Sequence, residues 1–141
     1  MKTRIRTILV VLAPALLIGC GQENSAPTPD RADEIRLQQV GSTLRDFQLN
    51  KGRAPKSLKD LLSSPGESGG ADLIASGEVV VNYNATLPDT NEAPGGSPNE
   101  DVLAYGKDVP SKGGPVLLLN RTIRPMTADE FKAASPAKPS S

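Results

Sequence analysis

The sequence predicts an α+β domain in which one long helix, near the start of the folded part, packs on a small antiparallel sheet of three to four strands. Three observations carry this. Leu37, Val40, Leu44 and Phe47 recur at spacings of three, four and three, the period of a helix with one apolar stripe. Residues 78–84, EVVVNYN, form a β-branched run bounded by turn residues. Residues 116–119 and 122–124 flank Asn120-Arg121, which reads as a tight hairpin between two short strands.

The first helix is expected over residues 33–50, because Asp33 suits an N-cap and Glu34 the positive end of a helix dipole. Gly52 fits the left-handed position that stops it. Pro55 holds Ala54 extended. Ser57 and Asp60 resemble a capping box with Asp in place of Glu, opening a short helix with Leu58, Leu61 and Leu62 on its apolar face. Residues 63–70 read as loop, and residues 71–75 as a helical turn stopped by Gly77. The first strand is expected over residues 78–84 and the second over 102–105, with residues 107–114 as loop. Between the strands, residues 85–101 carry three prolines, and loops of that length are usually functional or disordered. Thr127 and Glu130 form a capping box for a last helical turn that packs Phe131 inward.

Composition removes whole classes of chemistry. The 141 residues include 16 Lys+Arg, 16 Asp+Glu, one Cys and no His. Without His there is no Ser-His or Cys-His dyad and no imidazole metal ligand. One Cys excludes an intrachain disulfide, a thiolate zinc cluster and a CxxC redox pair. A formal charge of zero gives no footprint for nucleic acid. The glycine pairs lack the Lys-Ser/Thr ending of a phosphate loop. Ser57, beside Lys56 and Lys59, is explained as a cap rather than a nucleophile. The expectation is a protein that is not an enzyme.

The first residues read as an address. Lys2, Arg4 and Arg6 precede an apolar run over residues 8–18, too short for the roughly 20 residues a membrane span needs. The run ends in Leu17-Ile18-Gly19-Cys20, which resembles the lipobox of bacterial lipoproteins. The resemblance implies recognition of Leu17, Ile18 and Gly19 by a signal peptidase, diacylglyceryl transfer to the Cys20 sulfur, and cleavage before Cys20. Two or three acyl chains anchor stably where one is marginal. Gly21 in place of the inner-membrane retention Asp of enteric lipoproteins points to the periplasmic face of the outer membrane. Loss of Lys2, Arg4 and Arg6 from a chain with 16 basic and 16 acidic side chains leaves a charge of −3. The resulting organisation is a signal peptide over 1–19, acylated Cys20 and a flexible tether over 20–32, the α+β domain over 33–133 and a disordered tail over 134–141.

The stretch Leu44-Arg45-Asp46-Phe47-Gln48-Leu49-Asn50-Lys51-Gly52-Arg53-Ala54-Pro55, followed by Ser57 and Leu61, resembles the head of the major pseudopilin of type II secretion. In that family a long helix ends in a Lys/Asn-Gly-Arg-aromatic-Pro turn before a second helix and a small sheet. Residues 115–124, followed by Met126-Thr127-Ala128-Asp129-Glu130-Phe131, are similar to the ending of many small lipoproteins of planctomycete-type bacteria. The chain departs at Ala54, where the pseudopilin turn has an aromatic, and at Asn120-Arg121, where the lipoprotein ending has Asp-Gly. A lipobox also stands where a pseudopilin has its prepilin peptidase site.

Three functions are expected. One is a membrane-anchored structural or interaction module of the cell envelope, with envelope proteins as partners and no nucleic acid. Another is an accessory component of a type II secretion or pilus-like apparatus. The third is binding of calcium or a small ligand. The pseudopilin resemblance implies calcium in a loop of the sheet region, and Asp89, Glu92, Glu100 and Asp101 are the carboxylates there. Beyond the lipid on Cys20 no cofactor is otherwise expected. Arg45, Lys51, Arg53, Lys56 and Lys59 form the densest basic cluster, suited to an acidic partner or anionic head groups.

Overall fold

A computed structural model describes residues 29–64, 68–88 and 100–139. The signal segment, Cys20 and the region 89–99 lie outside the described residues. The elements run α1 (Pro29–Lys51), α2 (Leu58–Leu62), α3 (Ser68–Ala75), β1 (Val79–Val81), β2 (Val102–Gly106), α4 (Val109–Lys112), β3 (Gly114–Leu118), β4 (Ile123–Met126) and α5 (Ala128–Ala133). The class is α+β, with four antiparallel strands in the order β1-β2-β3-β4.

α1 is 23 residues long and starts at Pro29, four positions before the expected Asp33. Proline suits a first helical position because the N–H it lacks would have no intrahelical partner there. Asp30 then supplies the acidic first turn. The stripe Leu37, Val40, Leu44 and Phe47 is buried, none of the four more than 3% exposed. Gly52 ends the helix at φ +66°, its N–H donating to the Gln48 carbonyl at 2.8 Å.

α2 matches its sequence signal only in part. Ser57 occupies the N-cap position, but its side chain makes no cap hydrogen bond. The Asp60 carboxylate accepts instead from the Lys56 N–H at 2.8 Å and from Arg53 at 3.0 Å. Leu61 is buried, whereas Leu62 stands 57% exposed and does not join the apolar face. α3 begins at Ser68, inside a stretch that reads as loop. Glycine is a poor helix former. Here tertiary packing overrides propensity, because Gly70 lies so close to Thr43 and the Gln39 carbonyl of α1 that a Cβ would not fit.

The sheet is buried on both faces. Leu103, Ala104, Leu117 and Leu119 join α1, α2 and α3 in the larger cluster. Val102, Val116, Leu118 and Met126 form a smaller one with Val109 of α4, against which Tyr105 and Phe131 pack. This explains the unbroken Val116-Leu117-Leu118-Leu119 run, since a strand covered on both sides has no polar face. Leu103 and Ala104 share one cluster because a bulge interrupts the β2–β3 register between Val102 and Ala104.

Other expectations shift. β1 stops at Val81 rather than reaching Asn84, which turns at φ +65° with its N–H on the Pro55 carbonyl. Residues 109–112, within a stretch that reads as loop, make the short helix α4, and Val109 fixes it to the smaller cluster. The β3–β4 turn has three residues, 119–121. Leu118 N–H donates to the Thr122 carbonyl and Arg121 N–H to the Leu118 carbonyl, each at 2.9 Å. Arg121 takes the left-handed position at φ +64°. Phe131 is half-buried, its ring 4.6 Å from that of Tyr105.

β4 is an edge strand, and Pro125 on it has no N–H to offer a further strand. Ser135 to Ala137, expected in a disordered tail, lie against β2. Val102 N–H donates to the Ser135 carbonyl and Ala137 N–H to the Val102 carbonyl, both at 2.8 Å, and Ala137 is buried at 5% exposure. Composition hides this contact because only two backbone bonds and one small side chain make it.

Candidate interaction surface

Two surface features stand out. The first is the corner where α1 turns into α2. Arg53 braces it: the guanidinium lies 5.2 Å from the centre of the Phe47 ring and donates to the Asp60 carboxylate and to the Ala54 carbonyl, both at 3.0 Å. The pairing is mutual in its electrostatics. The Arg53 hydrogen bond, seconded by the Lys56 N–H, holds the Asp60 carboxyl below its ordinary range. Asp60 in turn raises the Arg53 pKa. Ala54 is buried at 8% exposure, and the Arg53 guanidinium covers the Phe47 ring.

Around this brace the corner exposes cations and leucines. Lys51, Lys56 and Lys59 are exposed and make no ion pair among the described residues. Several other cations are matched, since Arg36 reaches Asp33 and Glu78, Lys112 reaches Asp108, and Lys132 reaches Asp129, whereas Lys107 and Lys138 are exposed without an ion pair among the described residues. Leu49 is 64% exposed and Leu62 57%. Lys59 and Leu62, three apart on α2, share one face.

A clamp ties the corner to the segment after β1. The Gln48 amide donates to the Leu87 carbonyl at 2.9 Å and accepts from the Leu87 N–H at 2.8 Å. A side-chain amide thus pairs both backbone groups of Leu87, which is 2% exposed. Nearby, the Tyr83 hydroxyl is buried without a hydrogen-bond partner among the described residues, and burial raises its pKa.

The second feature is an open groove of about 790 Å³ between α1 and the β3–β4 hairpin. Gln38, Arg45 and Asp46 line one wall, Asn120, Arg121 and Thr122 the other. Gly41 lets α1 approach Leu117, whose Cδ2 would lie 3.2 Å from a Cβ there. The Asn120 Oδ1 accepts from the Thr122 N–H at 3.0 Å and its hydroxyl at 2.6 Å, which sets the hairpin rim.

The residues expected to matter fall unevenly. Leu17, Ile18, Gly19, Cys20, Asp89 and Glu92 lie outside the described residues. Glu100 faces Arg124 at 3.5 Å, and the Asp101 carbonyl accepts from the Leu119 N–H at 2.8 Å. Among the described residues no three His, Cys, Asp or Glu side chains group so as to hold a metal, and no helix is long and apolar enough to cross a membrane. Of the basic cluster, Arg45 lines the groove, Arg53 is a structural brace and the three lysines are exposed. The Gln48–Leu87 clamp and the Arg53–Phe47 contact have no local sequence signal, since each depends on how α1 meets segments later in the chain. No protein-family model, curated protein or solved structure gives a significant match to the chain.

Proposed function

We propose that this chain is a lipid-anchored protein of the bacterial cell envelope whose α+β unit is a non-enzymatic interaction module. The observation that carries the reading is the apolar run over residues 8–18 ending at the single cysteine, Leu17-Ile18-Gly19-Cys20. Cleavage before Cys20 frees an amino terminus, and acyl chains on that residue supply the anchor. Residues 21–28 then separate the lipid from the first turn of α1, a reach of at most about 28 Å. Gly21 directs the protein to the periplasmic face of the outer membrane in this reading. The absence of His from the sequence supports a binding role over acid–base catalysis at neutral pH.

The test is metabolic labelling with an alkyne-bearing palmitate analogue. The wild-type chain is expected to take up label and fractionate with membranes. Cys20→Ser is expected to lose both. An unlabelled wild-type protein would remove the anchor from the reading.

A second reading, accessory component of a secretion or pilus-like apparatus, is favoured by one observation. α1 ends at a Gly52-Arg53-Ala54-Pro55 turn whose sequence resembles the pseudopilin head motif, and it packs on an antiparallel sheet. In-cell cross-linking of the tagged chain tests it. Secretion or pilus subunits captured only with Cys20 intact would support it, and equal capture by Cys20→Ser would count against it.

A further inference from the structure

We propose that the edge of β2 at Val102 docks an extended segment of a partner protein with the pattern large aliphatic-any-Pro-Ala, and that residues 134–137 of this chain are its displaceable resident. The inference does not depend on the anchored reading. β1 reaches along β2 only as far as Ala104, the partner of Val81, and beyond it Val102 pairs with the chain's own end. Pro136 bridges Val102 in parallel, with the Val102 N–H on the Ser135 carbonyl and the Ala137 N–H on the Val102 carbonyl, both at 2.8 Å. The Asn82 amide also donates to the Val102 carbonyl, at 2.7 Å. Both tail bonds to Val102 come from the residues on either side of Pro136, so the N–H that proline lacks is not needed there.

The seated segment defines what the site reads. Ala134 already has extended backbone at the end of α5, and alternate residues of an extended chain face opposite sides. Ala134 and Pro136 accordingly line one cleft, together with Tyr105, Phe131 and Lys132. Ala137 faces the other way into the larger core cluster, where its 5% exposure leaves room for a small side chain only. The cleft holds about 240 Å³ beside the tail. The tilted Tyr105–Phe131 pair, 4.6 Å between ring centres, is its aromatic wall, and both rings stay half-buried with Ala134 in place. Aromatic-lined clefts take proline and aliphatic groups from extended segments. A segment from another molecule has to outdo the tail, because the tail docks without the cost of association. A large aliphatic side chain in the place of Ala134 supplies that surplus by covering the rings. A second copy of this chain brings the same alanine and gains nothing by exchange. The resident is also weakly held, by two backbone bonds and one buried methyl group, so the site opens at low cost.

The experiment titrates fluorescent peptides with the full chain and reads anisotropy. Leu-Ser-Pro-Ala is expected to bind about tenfold more tightly than Ala-Ser-Pro-Ala, the sequence of residues 134–137. Leu-Ser-Pro-Phe, too large where Ala137 is buried, is expected not to bind. Deleting residues 135–141 removes the resident and is expected to tighten Leu-Ser-Pro-Ala binding about thirtyfold. Ala137→Asp, which places a charge where the tail is buried, is expected to shift binding the same way at full length, and it carries the test should the deletion variant not fold. Phe131→Ala is expected to erase the preference for leucine. Melting temperatures establish which variants are folded. The proposal is overturned by no binding of Leu-Ser-Pro-Ala to a folded tail-deleted or Ala137→Asp chain at millimolar peptide, by equal affinities for the leucine and alanine peptides, or by a leucine preference that survives Phe131→Ala. A full chain that scatters light as a dimer, and as a monomer once residues 135–141 are deleted, would make a second copy the occupant and also overturn it. The anchor is read separately, since none of these outcomes changes with palmitate labelling of Cys20.

Discussion

Arg53 and Asp60 join α1 to α2, and the bridge is pH-dependent. Asp60 titrates below its ordinary 3.8, first because Arg53 donates to it and then because the Lys56 N–H does. A carboxyl depressed by folding contributes stability that is complete above its unfolded pKa and is lost as pH falls through the lower folded value. Asp60→Asn is therefore expected to lower the melting temperature at neutral pH. Its deficit against wild type should shrink as both are taken into the acid range, and a deficit constant with pH would contradict this. Arg121 makes a second residue-scale case. Its left-handed backbone, φ +64°, is tolerated by Asn and resisted by β-branched side chains. Chemical denaturation is expected to find Arg121→Val destabilised by about 1–2 kcal/mol and Arg121→Asn close to wild type.

The helices differ in how openly the sequence declares them. α1 is legible because its apolar stripe has a single period and its stop is a glycine at the required position. The α5 cap is legible for a similar reason: Thr127 Oγ1 accepts from the Glu130 N–H at 3.2 Å and the Glu130 carboxylate accepts from the Thr127 N–H at 2.7 Å. α3 is only half legible. Gly69 and Gly70 read as loop residues, yet they are helical because α1 leaves no room for a side chain beside Gln39 and Thr43. Gly70→Ala, which would raise intrinsic helix propensity, is accordingly expected to destabilise by about 1–3 kcal/mol. If unfolding by urea gave a stabilised Gly70→Ala, the close α1–α3 approach would be wrong. α4 escapes for want of length, since four residues carry no period.

At the scale of the whole molecule, the sheet is the element most fully anticipated and its second cover the least. The strands announce themselves as β-branched and leucine-rich runs. That Val116, Leu118 and Met126 would be covered by Val109 and Phe131 depends on contacts between segments no window spans. The corner is legible as a basic cluster, but not the division of labour in which Arg53 braces and the lysines remain exposed. The return of residues 135–137 to Val102 closes the fold from its far end. Deleting residues 135–141 removes two backbone hydrogen bonds and the buried Ala137, and is expected to cost about 2–3 kcal/mol by chemical denaturation.

Pro125 on the outer strand acquires a meaning from the proposed anchor. Such an anchor would confine copies to a plane, where encounters are far more frequent than at the same number of molecules in open solution. Under those conditions an unguarded strand edge would recruit its neighbours into a growing ribbon. A proline on β4 and a β1 of only three residues deny such growth a template at either side. Copies anchored as proposed would then meet on a surface without their sheet edges joining.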